Sequence, residues 1–143
     1  MKGIKGFTLV ELVIVIIIVG ILSIVSVAIY RTYVKRAYAT EGKALLGAIR
    51  TAENIYYAAN GRFVSEGSPN NRVSKGEIID VDCSSNKYFT SFYVDTDNQN
   101  TERPGMQYYA QTDGTGDATG LAMGISVLPN GEVSYNDWWN DAD

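Results

Sequence analysis

The sequence contains no histidine and a single cysteine. Histidine is the commonest general base near neutral pH and the commonest ligand of transition metals, so its absence removes the usual centre of hydrolytic and zinc sites. The sequence also lacks a glycine-rich phosphate loop between a predicted strand and helix. The composition therefore predicts a protein that is not an enzyme.

The lone cysteine, Cys83, cannot close a disulfide within the chain. We interpret it as a small, partly buried residue, and an intermolecular bridge or a modified thiol is the alternative. Basic residues are also scarce, with 12 Lys and Arg against 16 Asp and Glu, for a net charge of -4. An acidic chain without a basic patch argues against direct nucleic-acid binding, so a role in DNA uptake would depend on a partner.

What the sequence does have is a long apolar run over residues 7–30 that contains one carboxylate. At about 24 residues it is long enough to span a bilayer. Glu11 is the only residue between Lys5 and Arg31 whose side chain is of a charged type at neutral pH, and a charge at that depth costs at least about 2.5 kcal/mol. Such a residue usually has a function, which a plain single-pass anchor would leave unexplained.

The small residue next to this run, Gly6, precedes it, whereas in a secretory signal the small residues follow the apolar core. Cleavage after Gly6 would leave the apolar helix on the mature protein. Lys2 and Lys5 place the preceding segment in the cytoplasm by the positive-inside rule, although Arg31 and two further basic residues oppose it. We expect the remainder of the chain outside the cytoplasm.

The run Gly-Phe-Thr-Leu-Val-Glu at residues 6–11 resembles the class III signal of type IV prepilins and of type II secretion pseudopilins. The resemblance implies a leader of residues 1–6, which prepilin peptidase removes between Gly6 and Phe7 before it N-methylates Phe7. It also implies that Glu11 directs assembly by pairing with the Phe7 amine of a neighbouring subunit. Gly20 matches a glycine common in the family and would allow close helix packing. Ala28 stands where the family often has proline, which puts a kink there in doubt.

Beyond the apolar run, residues 31–60 have the three- and four-residue spacing of an amphipathic helix. Asn60-Gly61 predicts its end. The charged residues Glu41, Lys43, Arg50 and Glu53 are expected mostly on other faces. The face predicted to pack on a sheet consists of Leu45, Ala48, Ile49, Ala52, Ile55, Tyr56 and Ala59.

Residues 61–143 predict a globular head in an α+β fold, with a long helix packed on a small antiparallel sheet of about three or four strands. An αβ-loop is expected at 62–86, the sheet at 87–135 and a C-terminal tail after it. The predicted strands are 88–94, 106–112, 121–128 and 132–135, with a polar turn at 95–105, a loop at 113–117 and a tight turn at Pro129-Asn130-Gly131.

Oxygen-rich side chains are concentrated at residues 95–102. This segment lacks the glycine and glutamate of an EF-hand, but carboxylate and amide oxygens are what calcium prefers. We predict no bound cofactor for the chain and interpret this segment as a solvated acidic turn, with a calcium site as the alternative. Further candidate carboxylates are Asp113, Asp117, Asp137, Asp141 and Asp143.

The aromatic residues fall into two groups. Tyr30, Tyr33 and Tyr38 follow the apolar run, where rings favour the membrane interface. Tyr56 and Tyr57 are expected to pack against the head. An adhesive surface, or stacking that conducts electrons, is the alternative for the Tyr-rich chain with its Trp138-Trp139 pair.

The function predicted from these features is that of a major pilin, which leaves the inner membrane to polymerise with copies of itself into an extracellular helical filament. Its expected partners are prepilin peptidase, the inner-membrane assembly machinery and the membrane itself. A pseudopilin of type II secretion, which would stay periplasmic, and a minor pilin remain open. A monomeric membrane-anchored binding module is the contrasting class.

Overall fold

The computed structural model describes residues 6–96 and 107–139. One long helix precedes a four-stranded sheet, which confirms the predicted α+β, pilin-like fold. The elements are α1 Leu9–Asn60, β1 Phe92–Asp95, β2 Tyr108–Asp113, a 3-10 turn Gly116–Ala118, β3 Leu121–Val127 and β4 Val133–Trp139. The chain divides into two compact units, Met1–Arg36 and Ala37–Asp143.

Helix α1 is 52 residues long and ends where the sequence predicts. Gly61 adopts a positive φ of 71°, and its N–H donates to the carbonyl of Tyr57 at 2.7 Å. Glycine reaches this left-handed conformation without the steric cost that other residues incur. The Asn60 side chain donates to the carbonyl of Tyr56, satisfying a further group of the last turn.

The predicted buried face of α1 is partly wrong. Leu45 and Ile49 are buried as predicted, but Ala48 and Ala59 are exposed and Ile55 is 67% exposed. The buried stripe follows the helical period through Ala39, Gly42, Leu46, Ile49 and Glu53. Because this stripe contains a glycine and a glutamate, hydrophobicity alone did not reveal it.

The sheet is an antiparallel meander in the order β1-β2-β3-β4. Side chains alternate between its faces, and Phe92, Ala110 and Ile125 lie on the face that joins the helix in the core. The predicted turn at Pro129-Asn130-Gly131 is confirmed: Gly131 has φ 82° and donates to the carbonyl of Leu128.

Two strand boundaries differ from the prediction by four residues, and the others differ by no more than two. β1 begins at Phe92 instead of residue 88, because the backbone N–H groups of Tyr88 and Phe89 donate to the carboxylate of Glu41. β4 continues to Trp139, so residues predicted as tail pair with β3. Most of the predicted polar turn at 95–105 lies outside the described residues.

The αβ-loop contains no helix or strand element between residues 62 and 86, as predicted. It lies along β1 instead. Glu66 and Val94 exchange two backbone hydrogen bonds, and Val73 and Phe92 exchange two more. The loop therefore satisfies the outer backbone groups of β1.

Candidate processing and assembly site

The Gly6–Phe7 junction lies before the first helical residue, Leu9. Phe7 is 84% exposed, and a Cβ at Gly6 would meet no atom within 4 Å. A peptidase needs an extended, reachable backbone, and a closed helix does not offer one. The junction predicted from the sequence has that accessibility.

Thr8 and Glu11 form a reciprocal pair at the start of α1. Glu11 Oε2 accepts hydrogen bonds from Thr8 N and from Thr8 Oγ1, both at 2.9 Å. In return, Thr8 Oγ1 accepts from the backbone N–H of Glu11 at 3.2 Å. The Thr8 carbonyl also accepts from Leu12 N, which places Thr8 at the N-cap position.

This arrangement is a capping box, in which a Thr and a Glu three residues later satisfy each other's backbone N–H groups. The negative charge also lies at the positive end of the helix dipole. The Thr-x-x-Glu spacing is visible in the sequence, but this capping role of Glu11 was not predicted from it. Glu11 therefore has a local structural role in addition to the predicted assembly role.

The apolar part of α1 has the length and composition of a membrane span. An 18-residue window has a mean hydropathy of 3.3, and none of it is buried within the chain. Its two hydroxyl groups bond within the helix: Ser23 Oγ donates to the Val19 carbonyl, and Ser26 Oγ donates to the Leu22 carbonyl, each at 2.7 Å. Polar side chains satisfied in this way are compatible with lipid.

Residues 1–28 match the prokaryotic N-terminal methylation motif. This motif is the class III prepilin signal of type IV pilins and pseudopilins. No curated protein matches the chain. The prepilin signal and the fold together support a type IV pilin-like or pseudopilin protein. Proteins of this kind are typically structural, and the apolar helix is consistent with membrane anchoring. The prepilin signal implies processing by prepilin peptidase and assembly into a pilus.

Gly20 lies inside the prepilin signal, on the exposed surface of α1. A Cβ at this position would meet no atom within 4 Å. The fold of a single chain therefore does not require glycine here. Close approach of a neighbouring helix stays a prediction for Gly20.

The tyrosines that follow the prepilin signal lie in different environments. Tyr30 and Tyr33 are 70% and 65% exposed, as an interfacial role requires. Tyr38 instead lies with its ring centroid 4.3 Å from that of Tyr88, so it belongs to the packing of the head.

The end of α1 packs on the head as predicted. Tyr57 stacks on Phe63 at 4.6 Å, Phe63 contacts Tyr108 at 5.0 Å, and Tyr56 is partly buried against the core. Packing within one chain thus accounts for these rings.

The candidate calcium carboxylates are only partly described. Asp113 forms an ion pair with Arg72 at 2.6 Å and accepts a hydrogen bond from Gln111. Among the side chains described in residues 6–96 and 107–136, no three His, Cys, Asp or Glu residues are grouped to hold a metal ion. The Asp137 side chain, Asp141, Asp143 and most of the 95–102 segment lie outside the described part of the chain. Calcium stays the untested alternative to the predicted absence of a cofactor.

Cys83 is fully buried, more deeply than predicted. Its Sγ donates to the carbonyl of Ser74 at 3.2 Å. Burial disfavours the thiolate and raises the pKa of Cys83 to about 11. This environment agrees with a packing role for the residue.

Proposed function

We propose that the chain is the major subunit of a type IV pilus, cleaved between Gly6 and Phe7 and N-methylated on Phe7. In this proposal residues 7–30 hold the subunit in the inner membrane with its head outside the cytoplasm. The assembly machinery then adds subunits to an extracellular helical filament that serves attachment, twitching motility or DNA uptake. The observation that carries the proposal is the prepilin signal at residues 1–28.

Lipid and a bundle of apolar helices are both hydrocarbon, so a helix gains little hydrophobic free energy when it moves from one to the other. Hydrophobicity alone therefore cannot choose the stagger between subunits. A buried pair between Glu11 and the Phe7 amine of a neighbour would choose it. Leaving one member of such a pair without its partner costs about 3–5 kcal/mol, which disfavours every other stagger.

The capping box offers a competing explanation for Glu11, because a poorly formed helix start would also impair assembly. Two substitutions separate the explanations. Glu11→Gln keeps a capping residue, since glutamine replaces glutamate in this box, but removes the charge. Thr8→Ala removes the N-cap hydroxyl and keeps the charge; it should weaken the helix start by about 1 kcal/mol.

The experiment compares the filament yield of these variants with that of Glu11→Ala and the unsubstituted chain, by electron microscopy of sheared fibres and immunoblotting. If the charge sets the stagger, Glu11→Gln and Glu11→Ala both give processed, membrane-held subunits that assemble poorly, while Thr8→Ala assembles well. Normal filaments from Glu11→Gln, with poor filaments from Thr8→Ala, would show that Glu11 acts only as a capping residue and that its charge does not set the stagger.

A type II secretion pseudopilin is the second candidate, and a minor pilin the third. The observation in favour of the pseudopilin is the single, buried Cys83. Many pilins close the end of the head with a disulfide loop, which this chain cannot form within itself, and this leaves pseudopilins and disulfide-free pilins as candidates. Peptide mass mapping of sheared surface fibres separates the three. A major pilin dominates the fibre mass, a minor pilin is present in trace, and a pseudopilin is absent while secretion depends on it.

A further inference from the structure

Three basic residues follow the apolar part of α1 within six positions: Arg31, Lys35 and Arg36. We call these three residues the basic collar, and all of them are exposed. Arg31 and Lys35 are four residues apart, so they lie on the same helical face, about 6 Å apart along the axis. The collar therefore presents a concentrated positive charge to whatever surrounds the helix at this level.

The charge of the collar contrasts with that of the sequence around it. Residues 12–40 contain no Asp or Glu, whereas residues 41–143 contain 15 of them and only 7 Lys and Arg. The part of the chain that follows the collar is therefore acidic, and an anionic surface repels it. Electrostatic attraction to such a surface would come from the collar.

The length of the helix places the collar at the depth of the lipid headgroups. From Leu9 to Tyr30 the helix covers about 32 Å at 1.5 Å per residue, close to the hydrocarbon thickness of about 30 Å. Tyr30 and Tyr33 are exposed, and tyrosine rings favour the boundary between hydrocarbon and headgroups. When the apolar part of α1 spans a bilayer, residues 31–36 lie just beyond this boundary.

Phosphate is the anionic group that the headgroup layer offers to these side chains. The guanidinium groups of Arg31 and Arg36 suit paired hydrogen bonds to phosphate oxygens, and the Lys35 ammonium binds phosphate as a point charge. A zwitterionic headgroup also carries a cation, which repels the collar, whereas an anionic headgroup keeps its net negative charge. Basic segments beside a membrane are accordingly attracted to anionic lipids.

We propose that the basic collar binds the headgroups of anionic phospholipids in the outer leaflet of the membrane and thereby fixes the depth of the helix before assembly. The inference rests on the proposed function, which holds the subunit in the inner membrane with its head outside the cytoplasm. It gives a role to three basic residues on the side that the positive-inside rule disfavours. It also names the class of lipid that the subunit contacts.

Lipid binding to the full-length chain tests the proposal. Every protein compared carries Lys2→Gln and Lys5→Gln, so that the opposite end of the span adds no basic side chain. Each is purified in micelles that contain equal amounts of phosphatidylglycerol and phosphatidylcholine, and native mass spectrometry counts the lipids that stay bound. The parent chain should bind at least about tenfold more phosphatidylglycerol than phosphatidylcholine. Changing all three collar residues to Gln should bring the two counts close together.

The matched control replaces three exposed lysines beyond residue 40 instead, as Lys43→Gln, Lys75→Gln and Lys87→Gln. It removes the same charge as the collar variant, so an effect of net charge alone would appear equally in both. The control should keep the excess of phosphatidylglycerol. Equal loss of that excess in both triple variants would overturn the inference, and so would a parent chain that binds the two lipids alike.

Thermal unfolding of each variant identifies one that fails to fold, and a second experiment then uses the unsubstituted chain. The chain is reconstituted into vesicles of equal phosphatidylglycerol and phosphatidylcholine, with a trace of phosphatidylglycerol that carries a photo-crosslinking group on its headgroup. Among residues 12–143, crosslinks should concentrate at residues 30–36. Crosslinks that fall mainly elsewhere in residues 12–143, or none there, would overturn the inference.

The two proposals fail separately. If cells that produce the chain form no filaments from it, the proposed pilin function fails, whatever lipid the chain binds. If the chain forms filaments but binds both lipids alike, the pilin function stands and the lipid assignment alone is wrong.

Discussion

Glu41 on α1 accepts a hydrogen bond through Oε1 from the backbone N–H of Tyr88 at 2.6 Å. The same oxygen accepts from Phe89 N at 2.8 Å, and Oε2 accepts from Lys87 N at 3.3 Å. One carboxylate of the helix thus holds three successive amides where the αβ-loop approaches the sheet. Hydrogen bonds to a charged acceptor are stronger than those between neutral groups.

Glu41→Ala should therefore lower the free energy of unfolding by about 2–3 kcal/mol, because it removes a charged acceptor and leaves partly buried amides unpaired. Urea unfolding of the full-length chain in detergent, followed by fluorescence, measures this. Glu77→Ala, an exposed glutamate of the loop, should change stability by less than about 0.5 kcal/mol. Equal effects of the two substitutions would contradict the role of Glu41.

Glu53 is fully buried in the head. Its Oε2 accepts from Val64 N at 3.2 Å, while its Oε1 has no partner in the described part of the chain. Burial is the main reason that the pKa of Glu53 is raised to about 7, and the nearby charge of Glu66 adds to it, against the hydrogen bond from Val64. The folded chain therefore binds this proton more tightly than the unfolded chain, in which the pKa is 4.5.

The stability that this tighter proton binding by Glu53 contributes is fully present below about pH 4.5. It is lost as the pH rises through 7, for a total of about 3 kcal/mol. Glu53→Gln, which cannot ionise, should remove this pH dependence and should exceed the original chain in stability at pH 8. Unfolding free energies of both proteins at pH 5, 6, 7 and 8 test it. Parallel pH profiles would contradict the assignment.

Substitution of glycine by alanine should have opposite effects on stability at two positions of α1. A Cβ at Gly42 would lie 2.5 Å from Met123 Sδ and 3.0 Å from the Phe89 ring, whereas a Cβ at Gly47 would meet nothing within 4 Å. Gly47→Ala should stabilise the chain by up to about 1 kcal/mol through helix propensity. Gly42→Ala should destabilise it by about 1–2 kcal/mol net, because overpacking outweighs that gain. Melting curves that shift in the same direction would contradict the packing at Gly42.

Cys83 should react slowly while the head is folded. Raising its pKa from 9.0 to about 11 leaves about a hundredfold less thiolate at neutral pH, and burial further limits access. Reaction with an aromatic disulfide reagent, followed by absorbance in buffer and in urea, measures both states. Fast labelling of the folded protein would point to an accessible, functional thiol.

Gly6→Val should block processing, because prepilin peptidase of the proposed function cuts after this residue. The expected result is an N-terminal peptide whose mass still includes residues 1–6, while the original chain yields a peptide that begins with N-methylated Phe7. Cleavage of the variant at the same bond would contradict the assignment of Gly6.

The sequence alone predicted the features that depend on local chemistry. The end of α1 at Asn60-Gly61 and the turn at Pro129-Asn130-Gly131 follow from glycine conformations, and both were confirmed. The prepilin signal is equally local, because its spacing and residue types are read directly along the chain.

Features that depend on distant partners were not predictable in the same way. The buried stripe of α1 includes Glu53, a residue that burial normally excludes, and only tertiary contacts reveal it. The late start of β1 depends on Glu41, 47 residues before Tyr88. The capping box of Thr8 and Glu11 is different, because its spacing can be read from the sequence. It was not predicted because Glu11 was assigned only an assembly role.

The backbone bonds that Glu66 and Val73 make to β1 also protect the molecule from its own copies. An unpaired edge strand is a template for indiscriminate strand addition and aggregation. By occupying that edge, the αβ-loop leaves copies of the chain less able to join through their sheets. A proteolytic nick or deletion in this loop would remove the cover and would favour precipitation of the chain through its exposed strand.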